Sequence, residues 1–160
     1  MIKLDDEIIF ISDECLFYKL FSSVPNEVKE AKIIFDYLSY RKFNKKIILP
    51  PSVYQRLTRL FEKHTDSLLY FKNYFEEANY INRYNKTQDE IKLLAKVLKT
   101  INMNVAIISD SIHGDVALVN ELENIQVILF TVHETYSYLW TKLKFREYMQ
   151  LIEQSQHHPQ

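Results

Sequence analysis

The chain has 160 residues, a formal net charge of −1, one cysteine and one glycine, against eleven Tyr and ten Phe. That length makes a single domain the default and supports a core without disulfide or metal staples. The lone Cys15 excludes an internal disulfide framework and the balanced charge excludes a global polyanion binder. The lone Gly114 excludes a Gly-rich phosphate loop or a dinucleotide fingerprint.

Taken in chain order, residues 7–12, "EIIFIS", form a short apolar run that predicts a buried strand. "ECLFYKLFS" predicts a short helix, broken by "SSVPN". Asn26 is placed to cap a second helix with Val28, Ala31, Ile34, Phe35 and Leu38 on one face. After the basic turn "RKFNKK", residues 47–50, "IILP", predict a second strand, and Pro51 opens a helix carrying Val53, Leu57, Leu60 and Phe61. "TDSLLYFKNYFEEANYINRYN" predicts another helix, dense in Tyr and Phe. "KTQDE" opens the next, with Ile91, Leu94, Ala95 and Leu98 facing inward. "NVAIISD" is the third predicted strand, "GDVALVNELEN" a short helix, "IQVILFT" the fourth strand, and a long helix runs from about 133 to 154. Residues 155–160 are a polar tail, leaving 1–154 as one domain.

Strands written as continuous apolar runs and alternating with helices predict a parallel sheet covered on both faces. No apolar stretch approaches the ~20 residues of a membrane span. The segment "MIKLDDEIIF" lacks the succession of a signal peptide, and the expectation is a cytoplasmic protein.

Open parallel sheets bind ligands beyond the carboxyl ends of their strands. Two such ends are spelled nearly alike, "IIFISDE" at 8–14 and "AIISDSI" at 106–112. Each delivers an acid, Asp13 and Asp110, and ends of neighbouring strands lie ~4.8 Å apart. Converging carboxylates repel one another, and a cation or a shared proton offsets that repulsion. Oxygen-only ligands suit Mg²⁺ or Mn²⁺, ions that orient phosphoryl oxygens and activate water. The competing reading is that Ser-Asp after a strand is helix-capping chemistry. Asp89 and Glu90 open a helix, where acids favour the dipole, and Asp115 follows Gly114 as either a cap or an accessory acid.

The order of these acids resembles the PIN-domain ribonucleases, the family that includes the toxins of VapBC toxin–antitoxin pairs. "IIFISDECLFYKLF" is similar to the family's first strand, acid and helix. "IILPPSVYQRL" is similar to its Pro-x-x-Val-x-x-Glu-Leu segment, "QDEIKLLAKVL" to its acid-initiated helix, and "VAIISDSIHGDVALVNELENIQVILFT" to its last strand–loop–helix–strand. The resemblance implies a PIN-like three-layer α/β/α fold on a mainly parallel sheet of four to five strands. It implies Mg²⁺ or Mn²⁺ held by Asp13, Asp110 and Glu90, with Asp89 the alternative to Glu90 and Asp115 accessory, and cleavage of RNA. An antitoxin-like protein partner and a homodimer are further implications, pairing through the Tyr- and Phe-rich stretch.

The sequence departs from the pattern at one point. Arg56 stands where the second acid is expected, or Gln55 with a shift of one residue. Two functions therefore stand side by side. One is a divalent-metal-dependent endoribonuclease; the other is an inactive PIN-like module that binds RNA or a protein. A phospho-receiver would want a Lys after a late strand, and "LFTVHE" has none.

Among the remaining residues, His113 reads as a loop-surface histidine, with a metal ligand or proton shuttle as the alternative, His133 reads as a surface or helix-start histidine, and His157 and His158 belong to the tail. Cys15 reads as a core filler. Arg41, Lys42, Lys45 and Lys46 form one basic cluster, and Lys142, Lys144 and Arg146 another, each a solvated surface or a phosphate contact.

Overall fold

The structure, a computed structural model, describes residues 8–40, 47–62, 75–84, 86–141, 150, 153 and 154. The two basic clusters, the tail histidines and most of the Tyr- and Phe-rich stretch lie outside these residues.

Strands β1 (Ile8–Ser12), β2 (Ile47–Leu49), β3 (Phe75–Glu77), β4 (Asn104–Ile108) and β5 (Ile128–Phe130) form one sheet in the order β3-β2-β1-β4-β5. Every pairing is parallel. Helices α1 (Cys15–Leu20), α2 (Pro25–Tyr40), α3 (Pro51–Phe61) and α6 (Val132–Thr141) pack on one face. Helices α4 (Thr87–Thr100) and α5 (Val116–Asn124) pack on the other. The result is a three-layer α/β/α domain with a five-stranded parallel sheet. No helix among the described residues is long and apolar enough to cross a membrane.

The strands are apolar throughout because both faces are covered. Side chains alternate between the two cores: Ile8 and Phe10 of β1 join Phe17, Phe35 and Phe75, whereas Ile9 and Ile11 join Ile91, Leu94 and Leu98. The first core is centred on Phe17, whose ring lies 5.8 Å from Phe35, 5.4 Å from Phe61 and 4.0 Å from Phe75. Four separate elements meet there, so truncating any of these rings costs ~3–5 kcal/mol.

Two sequence expectations are corrected. Phe75–Glu77 is an edge strand, not part of a helix over 65–85. Its single buried side chain is Phe75, and its carbonyl-side partner is set by Ala78 N–H donating to Leu49 O at 2.9 Å. Two consecutive glutamates suit an edge, where charge discourages pairing with another chain. Helix α2 begins at Pro25, so Asn26 lies within its first turn rather than capping it. Proline supplies the fixed φ of a first helical turn and lacks only a donor that would have been orphaned.

The scarcity of glycine is felt at helix ends. Asn102 and Gln126 take φ of 62° and 63° just past α4 and α5. Met103 N–H reaches Leu98 O at 3.1 Å, and Val127 N–H reaches Leu122 O at 3.0 Å. Both are Schellman closures built without glycine, and each turns the chain directly into the following strand segment.

Candidate functional site

The register of β1 on β4 decides where the two similar phrases put their acids. Ser12 pairs with Ile108, and Asp13 N–H donates to Ile108 O at 3.3 Å. Asp13 therefore stands beside Ser109, not beside Asp110. "IIFISD" is in register with "NVAIIS", one residue out of step with the spelling. That single step gives Asp13 and Asp110, each just past the end of its strand, different partners, although both lie close to Cys15.

Asp110 Oδ1 accepts from Val132 N–H at 2.9 Å, at the start of α6, and its Oδ2 lies 3.3 Å from Lys19 Nζ. Lys19 also pairs with Glu27 at 2.7 Å. The hydrogen bond to Glu27, and after it the charge of Asp110, hold Lys19 above the usual lysine range. The same helix start carries a capping box: Thr131 Oγ1 accepts from Glu134 N–H and Glu134 Oε1 accepts from Thr131 N–H, both at 3.0 Å. Asp110 thus completes the capping of α6.

Asp13 Oδ1 accepts from Cys15 N–H at 2.9 Å, and its Oδ2 accepts from Ser109 Oγ and, at 3.4 Å, from Ser111 Oγ. Ser109 is itself buried and takes the N–H groups of Ser111 at 3.2 Å and Ile112 at 3.1 Å. Burial, and then the charge of Asp13, push the Cys15 thiol far above its ordinary value of 9.0. Cys15 is a half-buried thiol whose surroundings favour its protonated form. Asp13 and Ser111 form part of the floor of an open cleft of about 430 Å³, with Glu14, Tyr18, Lys86 and Thr87 around them.

Glu90 is 0 % exposed. Its Oε1 accepts from Ser52 N–H at 2.8 Å, and its Oε2 accepts from Ser52 Oγ and from Tyr84 N–H at 3.1 Å. Ser52 N–H is one of the orphan donors at the start of α3, which Pro50 and Pro51 leave without a capping side chain of its own. Glu90 supplies that cap from a different helix. Asp89 is exposed in the first turn of α4. Asp115 caps α5, its Oδ1 accepting from Leu118 N–H at 3.1 Å.

Arg56 does not approach Asp13 or Asp110 as a hydrogen-bond partner. Its Nε donates to Glu14 Oε1 at 2.8 Å, its Nη2 bonds the same oxygen, and Nη2 also reaches Thr87 Oγ1 at 2.9 Å. Tyr18 Oη donates to the other Glu14 oxygen at 3.1 Å. Gln55 accepts from Arg83. His133 pairs with Glu30 at 2.9 Å, and His113 lies 3.9 Å from Glu134, both at the surface.

The acids drawn together by sequence are thus dispersed by the fold. Asp13, Glu90 and Asp110 each serve separate donors, and the described residues contain no group of three or more His, Cys, Asp or Glu side chains able to hold an ion. The donor set does not fit the Mg²⁺ or Mn²⁺ centre that the resemblance implies. Glu14, Ser52 and Thr87 emerge as polar partners to which the sequence reading gave no role, and of these only Ser52 carried a local signal, as the first hydroxyl after two prolines at a helix start. Ser109 is the serine of the Ser-Asp capping reading, and it takes the Ser111 and Ile112 N–H groups. Comparison of the chain with protein-family models, with curated proteins and with solved structures gave no match.

Proposed function

We propose that this chain is a PIN-like domain that binds RNA without a divalent metal and without cleaving it. The observation that carries this reading is the dispersal of Asp13, Glu90 and Asp110 onto separate protein donors. An ion-dependent nuclease needs its carboxylates to converge, with their oxygens unspent. Here Glu90 is buried on Ser52, and Asp110 caps α6. To recruit either, an ion would have to strip hydrogen bonds that hold helix ends in place.

The cleft beside Asp13 suits a single-stranded ligand. Tyr18, 55 % exposed, lines this cleft, and Tyr84, also exposed, lies two residues before Lys86. Aromatic faces stack on bases with little regard to sequence. Lys86, Thr87 and Gln88 line the same cleft and offer a cation, a hydroxyl and an amide to phosphate and sugar oxygens. With a net charge of −1, affinity rests on this local arrangement and falls as salt rises.

Fluorescence anisotropy of labelled single-stranded RNA in the presence of a chelator tests the reading. Binding is expected in chelator, with the RNA recovered intact, and Lys86→Glu and Tyr18→Ala each weaken it several-fold. Cleavage that requires Mn²⁺ and is lost in Asp13→Asn would overturn the reading, as would no RNA binding by the wild type.

A further inference from the structure

Arg56 occupies a position where the resemblance asks for an acid, and its bonds explain what the chain does with it. The guanidinium reaches across from the second turn of α3. One turn earlier, Ser52 is fixed by the buried Glu90, so the stem of Arg56 starts from an anchored helix. Two of its nitrogens bond one Glu14 oxygen, and Nη2 continues to Thr87 at the start of α4. Tyr18 takes the other Glu14 oxygen. Three segments are thereby tied: the β1–α1 turn, α3 and α4. The hydrogen bond to Glu14, then its charge, then that of Glu90, favour the charged guanidinium.

Neutralising a carboxylate while tying separate segments together is what a divalent ion does in an acidic cleft, and Arg56 does both through Glu14 and Thr87. We infer that Arg56 is a resident cation that replaces such an ion, neutralising Glu14 beside Asp13 and denying the cleft to divalent metal. A guanidinium is always charged, is weakly hydrated and is delivered by its own helix at no loss of translational freedom. Mg²⁺ and Mn²⁺ must shed water and find several oxygens at near-octahedral angles. With both Glu14 oxygens bonded and Asp13 holding three donors, the cleft offers them none of the required unspent charge. Removing Arg56 leaves Glu14 uncompensated next to Asp13, a pair that a divalent ion would offset. This inference rests on the metal-independent reading above and goes beyond it in naming the residue responsible.

The experiment is a Mn²⁺ titration followed by electron paramagnetic resonance of the free ion, on wild type, Arg56→Glu and Arg56→Gln, each with and without Glu14→Gln. Wild type is expected to bind Mn²⁺ no more tightly than its Glu14→Gln variant. Arg56→Glu is expected to bind about tenfold more tightly or better, and Glu14→Gln is expected to remove the gain. Urea unfolding verifies that each variant is folded. Should Arg56→Glu not fold, Arg56→Gln carries the same test, with a smaller gain that again depends on Glu14. Wild type matching the Arg56 variants in affinity, no gain in either variant, or a gain that survives Glu14→Gln overturns the inference. RNA binding by wild type in chelator reports separately on the parent reading, so the two failures are distinguishable.

Discussion

Asp13 and Asp110 follow adjacent parallel strands, yet they serve different partners, because Asp13 is level with Ser109 and not with Asp110. Asp13 answers to Ser109, and Asp110 to the first turn of α6. Their roles should separate cleanly in mutants. Asp110→Ala removes a helix cap and an exposed ion pair to Lys19, and is expected to cost about 1 kcal/mol in urea unfolding, nearly all of it from the cap. It should leave RNA affinity unchanged. Asp13→Asn takes a negative charge out of the cleft and should tighten RNA binding modestly. Equal effects of the two substitutions on RNA affinity would contradict these separate roles.

The buried Glu90 makes a stability claim rather than a catalytic one. Three donors, Ser52 N–H, Ser52 Oγ and Tyr84 N–H, end on its two oxygens. Glu90→Ala strands all three and opens a void between α3 and α4, so a loss of about 3 kcal/mol or more is expected. Glu90→Gln keeps the volume but turns an amide NH₂ toward at least one donor, and should fall between the two. Urea denaturation reads both values; a loss below about 1 kcal/mol in Glu90→Ala would show that these bonds do not hold the helix.

Four strands were legible as continuous apolar runs, because a parallel sheet buried on both faces leaves no room for polar alternation. The fifth was not. Phe75–Glu77 offers one buried ring and two acids, and only its parallel pairing with β2, with Phe75 packed on Phe17 and Phe35, identifies it as strand. The candidate site shows a sharper limit. Its acids could be placed at strand ends from sequence, but their partners depend on a register offset of one residue, which no local pattern encodes. Likewise nothing near Arg56 in the chain announces Glu14, which lies on a separate strand-to-helix turn. The capping box "TVHE" is the reverse case, a purely local signal that explains both Thr131 and Glu134 but was not read from the sequence.

Cys15 carries the pH dependence. Its thiol is pushed up by burial first and by Asp13 second, from an ordinary value of 9.0. In the unfolded chain the thiol ionises as pH passes that ordinary value, while in the folded chain it stays protonated. Above it the unfolded state binds fewer protons, so stability is fully present below about pH 9 and falls as pH rises, by up to about 1.4 kcal/mol per pH unit from this group. Urea midpoints measured between pH 8 and pH 10 should show this slope in wild type and lose that component in Cys15→Ser. Iodoacetamide should alkylate Cys15 far more slowly in the native protein than in urea at the same pH. Native and denatured rates that agree would refute the protected thiol.

Gln126 tests how a chain with so little glycine ends its helices. Its φ of 63° is left-handed, a region that costs an L-residue roughly 1–2 kcal/mol. The conformation is enforced by Gln126 N–H donating to Glu123 O at 2.9 Å and Val127 N–H donating to Leu122 O at 3.0 Å, while Val127 and Leu122 are buried in the same core. Glycine removes the steric cost but loses about 0.5–1 kcal/mol more backbone entropy on folding. Gln126→Gly should therefore stabilise by roughly 0.5–1 kcal/mol, raising Tm by about 1–4 °C for a domain of this size. Asn102→Gly should gain less, since Asn tolerates this region through local hydrogen bonding, and Gln126→Val should destabilise. The turn also aims β5, whose Phe130 carbonyl accepts Ser109 N–H at 2.9 Å beside Asp13. If the closure is what positions β5, Gln126→Gly keeps the RNA affinity of wild type while Gln126→Val lowers it along with Tm. A Gln126→Gly variant that melts below wild type would show that the left-handed turn is not strained.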